Sequence, residues 1–256
     1  MLSNLISKFK KPSNDLVFYT PVTPIMKMYP IEPMSKVKFD WVPKVLQEFK
    51  QAQEIPHPVP YTTIRKCPAV FDILKTGYIV RLPYDIHIDI THTPEFEFRW
   101  TIKSERLKDI SLVPNLVDSQ NPIAGHRRPH SADSVLKFSL PWRCNAPKGV
   151  KILHSPIPYS DTYDIESCIG VWDPEQSPQL NVQAWVNHRE SSFTILAGTP
   201  ICHLIPITDQ KLNLVVREPT QKDIEWIHLE DYYISHKLHY DHKATKELYR
   251  EHYYGK

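Results

Sequence analysis

The chain has 256 residues, 41% apolar and 23% charged, with a formal net charge of +2 and mean hydropathy of −0.40. That is enough for one large β domain or two small units. No stretch approaches the roughly 18 apolar residues of a membrane span, and so small a net charge argues against a dedicated nucleic-acid binder. Four cysteines, Cys67, Cys144, Cys168 and Cys202, form no CxxC pair; the spacing argues against a zinc knuckle and for buried thiols in a reducing compartment.

There are 24 prolines against 6 glycines. Proline lacks the N–H that a sheet ladder uses, so it collects at strand ends, edges and turns. The N-terminal stretch does not read as a secretory signal; Leu2, Leu5, Ile6 and Phe9 fall on one face of a short helix. Residues 1–60 carry little periodic signal. Pro21, Pro24, Pro30 and Pro33 predict an extended arm that wraps a surface. Within it, Val45, Leu46, Phe49 and Ala52 recur at helical spacing and predict one helix over 42–55.

From residue 67 the period changes to two. Ile86, Ile88 and Ile90 alternate with His87 and Asp89; Phe96, Phe98 and Trp100 alternate with Glu95, Glu97 and Arg99. The two runs predict a hairpin with one buried and one wet face. Residues 104–134 lose the pattern and read as a long polar loop containing His126, Arg127, Arg128 and His130. Strand signals return at Leu136, Phe138 and Leu140, at Leu180, Val182, Ala184 and Val186, and at Phe193, Ile195 and Ala197, where Gly198 permits a tight turn. About nine or ten short strands without intervening helices predict an all-β core over 61–218, an antiparallel two-sheet sandwich of jelly-roll type. Residues 219–256 form a helical, tyrosine-rich tail: Thr220 and Asp223 make a helix-start signature. Such a tail docks on the sheet or on a partner.

The chemistry-bearing groupings are sparse. His87 and Asp89, two apart on a strand, point the same way. With His203, or His188, they would supply the two histidines and one carboxylate of an Fe(II)- and 2-oxoglutarate-dependent oxygenase. Against this, the isoleucine alternation alone accounts for polar residues at 87 and 89. Arg127 and Arg128 offer an anion contact. Trp185 lies on the polar side of its strand, either covered by the tail or free to stack on a sugar. His236, His239 and His242 step by three and drift around a helix, with His228 preceding them. Cys67 follows Arg65 and Lys66 but reads as a buried thiol. No GxSxG elbow occurs.

The phrases "RKCPAVFDILKTGYIVRLPYD", "SLPWRCNAPKGVKIL", "IGVWDP" and "ILAGTPICHLIPI" together resemble a family of uncharacterised proteins from T4-like tailed bacteriophages of marine bacteria and cyanobacteria. The resemblance covers roughly residues 17–256 and brings no activity with it. It implies a phage-encoded protein in the bacterial host cytoplasm or in the virion. The leading expectation is non-enzymatic: a virion accessory component or an interaction module, needing no cofactor and working through a protein partner or self-association. The alternatives are the oxygenase, with Fe2+ and 2-oxoglutarate as cofactors, and a carbohydrate-binding sandwich using Trp185.

Overall fold

The computed structural model describes residues 14–54, 67–90, 98–103, 117–120, 128, 130–132, 135–160, 163–188, 192–231 and 241–255. Alternating apolar residues set the longest pairing. In β7 (Val135–Asn145), Leu136, Phe138, Leu140, Trp142 and Cys144 are fully buried; in β11 (Gln179–Val186), Leu180, Ala184 and Val186 are. The strands pair antiparallel, with Val182 opposite Phe138 and Ala184 opposite Leu136, so both buried rows share one face.

Around this pair a six-stranded sheet runs β14 (Asn213–Arg217), β1 (Asp15–Tyr19), β7, β11, β9 (Ile165–Ser167), with β6 (Val117–Gln120) also on β7. β1 lies in the region whose prolines predict a surface wrap. It is instead an inner strand, parallel to β14 and antiparallel to β7, and its Leu16 and Phe18 are fully buried. The prolines act only after it: Pro21 follows the strand, and Pro24 opens α1 (Thr23–Met28), where a missing N–H is harmless.

The other two sheets are halves of one bent ribbon. A five-stranded sheet runs β10 (Gly170–Trp172), β8 (Lys151–Ser155), β13 (Pro200–Ile207), β3 (Tyr78–Arg81), β2 (Glu32–Pro33). A three-stranded sheet runs β12 (Ser192–Ile195), β4 (Asp85–Ile90), β5 (Phe98–Lys103). β3 leads into β4 and β12 into β13, and the ladder continues across the corner. Leu82 N–H donates to the Thr199 carbonyl at 2.9 Å and Gly198 N–H to the Leu82 carbonyl at 2.7 Å. Buried Pro83 interrupts one strand there; Gly198, at φ 88, turns the other, where a Cβ would stand 3.2 Å from the Tyr29 ring. The three sheets close around one core, an arrangement consistent with the predicted β-sandwich. Phe138, Val182, Val80, Ile86, Ile88, Leu204 and Ile195, drawn from all three, belong to a single apolar cluster.

Two flanking pieces close on this core. The arm lays Met34 and Phe39 over Ile79 of β3, together with Trp41 and Val42 at the start of α2 (Trp41–Gln53), the helix predicted at 42–55. α3 (Pro68–Ile73) adds Leu74 just beyond its end. At the other end α4 (Gln221–Leu229) begins with the predicted capping box: Thr220 and Asp223 exchange side-chain and backbone bonds. α5 (His242–Tyr254) packs its Tyr249 against Trp226 of α4. No helix among the described residues is long and apolar enough to cross a membrane.

Candidate functional site: an aromatic cleft

The arm's turn onto the sheet leaves a cleft of about 440 Å³ between the start of α2 and the loop joining β8 to β9. Trp41, Tyr159 and Tyr163 supply its rings, and Ser160, Glu166 and Asn187 its polar groups. Trp41 arrives from the first residue of α2, held by the apolar cluster over Ile79. Its indole Nε1–H donates to the Tyr159 carbonyl at 3.0 Å, and the two rings stand 5.8 Å apart, tilted by 59°. Tyr159 is the only non-glycine residue with positive φ among the described residues, at 56°. That left-handed conformation costs a side-chain-bearing residue about 1–2 kcal/mol. Tyr159 is 45% exposed, and Tyr163 is 78% exposed.

The far wall is fixed by polar bonds. Asn187 donates to the Tyr163 carbonyl at 2.9 Å and accepts from the Ser131 hydroxyl at 3.0 Å, so both ends of its amide are committed to shaping the wall. His188 Nε2 lies 2.7 Å from Asp164 Oδ1, and its ring packs on Phe193 at 4.8 Å. Glu166, in β9, is among the residues lining the cleft and accepts from Arg128 at 2.7 Å. Arg128 in turn lies over the Trp185 ring, 5.1 Å from its centroid. Its bond to Glu166 raises the Arg128 pKa above its ordinary value.

Two of the predicted binding residues thus meet: the Arg128 guanidinium lies over the half-buried Trp185 ring and bonds to Glu166. Arg127 lies outside the described residues, as do Glu95, Glu97, His126, His236 and His239. Trp41, Tyr159, Tyr163 and Glu166 were not singled out by sequence. For the two tyrosines a signal exists in the proline-, serine- and aspartate-rich stretch "SPIPYSDTYD", where no core calls for aromatic rings; for Trp41 and Glu166 there is none.

The candidate metal residues divide between two sheets. His87 and Asp89 are neighbours on the outer side of β4, 30% and 42% exposed, with Nε2 and Oδ1 3.3 Å apart. The alternation places them: Ile86 and Ile88 are fully buried behind them. His87 Nδ1 lies 2.9 Å from the Thr194 hydroxyl, and Asp89 accepts from the Ser192 hydroxyl, both on the facing strand β12. His203 sits in β13, fully buried, with Nε2 bonded to the Thr76 carbonyl at 2.6 Å. Among the described residues no group of three His, Cys, Asp or Glu side chains converges as a metal site. In the tail, His252 Nε2 lies 2.8 Å from the Lys222 carbonyl, and His242 opens α5. Cys67 is exposed, contrary to the buried thiol expected of it.

The cleft therefore gathers three aromatic residues and one carboxylate-bearing residue around a single cavity. Set beside known proteins, the chain matches no family model and no curated protein.

Proposed function

We propose that the chain is a non-catalytic binding module of a tailed bacteriophage, serving in the virion or at a host component. The observation behind this reading is the cleft itself. Its rings are displayed at the expense of a strained backbone at Tyr159, a cost expected at functional sites. Of the hydroxyls in its described lining, that of Ser167 is turned away, donating to the Ser155 carbonyl at 2.9 Å. The resemblance to T4-like phage proteins supports the setting, in the bacterial cytoplasm or the particle, and we read the bent three-sheet core as a variant of the jelly-roll sandwich. The oxygenase alternative retains only the pair His87 and Asp89 and lacks a third ligand among the described residues.

The test is a binding screen with two readouts. Purified protein is titrated with saccharides, nucleosides and short peptides while tryptophan fluorescence is followed, and each mixture is then analysed by mass spectrometry. The expected result is a Trp41-dependent fluorescence change with every probe recovered intact. Chemical conversion of a probe, or a fluorescence response unchanged in Trp41→Phe, would count against the proposal.

A further inference from the structure

Resting on the reading of the cleft as a binding site, we infer that its ligand is a neutral saccharide. The aromatic floor disfavours one mode of the obvious rival, a nucleobase sandwiched between two rings. To hold a flat nucleobase between two rings, the rings must lie parallel and about 7 Å apart, two contact distances of about 3.5 Å. Trp41 and Tyr159 are 5.8 Å apart, tilted by 59°, and touch each other. A ligand meets them from one side only. A pyranose suits such a floor. One face of its puckered ring is a patch of C–H groups that packs on aromatic surface, and its hydroxyls project around the rim.

The charge of the site narrows the class further. Glu166 is the only charged side chain among the described residues lining the cleft, which disfavours phosphates and other anions. Its charge is already matched by Arg128 at 2.7 Å, which disfavours a cation. What remains is a neutral ion pair, about one-third exposed on each side chain (35% for Arg128 and 37% for Glu166), beside an aromatic surface. Such a pair serves hydroxyl groups well. The carboxylate accepts from one hydroxyl through the oxygen that Arg128 leaves open, and charge-assisted bonds of this kind are about twice as strong as neutral ones.

Size and shape agree. About 440 Å³ lies within the range of small-molecule sites and accommodates one or two sugar rings. Tyr163, at 78% exposure, stands as an outer shelf on which a longer chain extends.

The experiment is isothermal titration of the full chain with short neutral oligosaccharides of glucose, galactose and N-acetylglucosamine. Uridine, inorganic phosphate and tetramethylammonium are run in parallel. Tyr163→Ala removes an exposed ring, and Glu166→Gln keeps the shape of the carboxylate but not its charge. Both variants are checked for an unchanged melting temperature. The expected result is binding of at least one oligosaccharide, weakened about tenfold by each variant, with no response to the other three probes. Tyr163-dependent binding of uridine or tetramethylammonium, with none of sugars, overturns the saccharide assignment and leaves the binding site standing. Oligosaccharide binding indifferent to both variants overturns the assignment of this cleft. Cleavage of a bound oligosaccharide would confirm the ligand class and overturn the non-catalytic reading.

Discussion

At the tail end of the molecule Trp226 and Tyr249 are fully buried, whereas at the arm end Tyr159 and Tyr163 stand 45% and 78% exposed. The residue types are alike; the difference lies in what meets them. In the tail, Tyr249 donates to Asn145, Tyr253 to Asp223 at 3.1 Å, and Tyr254 to the Ala146 carbonyl at 2.9 Å. Trp226 crosses Tyr249 edge-on at 5.2 Å. Charges tighten the same seam: Arg143 pairs with Glu230, Arg217 with Asp223, and Arg250 and Lys246 with fully buried Glu175. The polar tips of these three tyrosines are thus satisfied within the chain, and the ring of Tyr249 is buried with them. In the cleft the polar bonds run through backbone carbonyls and through Asn187, and the rings face outward. One aromatic-rich region closes the fold, and the other presents a surface.

If that contrast is right, the largest effect on stability belongs to the tail. Trp226→Ala removes a fully buried ring from the seam and is expected to cost about 3–5 kcal/mol. Denaturant unfolding should show the midpoint falling while oligosaccharide binding at the cleft, measured well below the transition, stays unchanged. A loss under 1 kcal/mol would mean that the tail rests on the core without supporting it, and the contrast would fail.

Acid should act on the core and on the seam. Burial pushes His154 down to about 4 from an ordinary 6.5, and lowers His203 too, against the opposing bond to the Thr76 carbonyl. Between about pH 6.5 and 4 the unfolded chain therefore binds more protons than the folded one, so stability falls as the pH falls. A second decline follows from Asp223 and Glu175. Burial alone would raise both, but hydrogen bonds from Arg217 and Thr220 to the one, and from Arg250, Lys246 and the Gly149 N–H to the other, leave each below its ordinary carboxylate range. Their contribution is complete above about pH 4.5 and is lost as the pH drops through the lowered values. Calorimetry across pH should show the melting temperature level between about pH 7 and 8, sloping down below 6.5 and steepening below 4.5. His154→Gln should flatten the first slope. A profile level down to pH 4.5 would break this prediction.

The seam and the cleft also differ in how far sequence alone discloses them. The hairpin of β4 and β5, the capping box at Thr220 and the apolar face of β11 follow from local spacing, because period two and the Thr-x-x-Asp pattern are each complete within a few residues. β1 does not follow. Its five residues are bordered by prolines, and its parallel partner β14 lies at the opposite end of the chain, with Leu16 beside Leu214. The bend that divides β3 from β4 is equally hidden, because Leu82, Pro83 and Tyr84 read as one run with the strands around them, and only the facing Gly198 marks the corner. The cleft is hidden for the same reason. Trp41 and Tyr159 are 118 positions apart, and the contact exists only because the arm folds over Ile79. Arg128 and Trp185 were each visible as candidates, but their relation, a cation that lies over an indole and bonds to Glu166, belongs to the tertiary structure.

The smallest expected effect on stability makes the sharpest test of the contrast. At Tyr159 the backbone sits at φ 56, which glycine adopts freely and tyrosine does not. Tyr159→Gly relieves roughly 1–2 kcal/mol of local strain. It also loosens the unfolded chain by about 0.5–1 kcal/mol and gives up the ring contact with Trp41. The terms oppose, so the net change in unfolding free energy should lie within about 1 kcal/mol of zero. Ligand binding should weaken strongly all the same, because the ring is half of the floor. A tail tyrosine behaves in the opposite way: truncating Tyr249 should destabilise the fold and leave the cleft untouched. Should Tyr159→Gly unfold the chain as readily as a change at Tyr249, the strained tyrosine would be a structural rivet, and the cleft would lose the feature that distinguishes it from the seam.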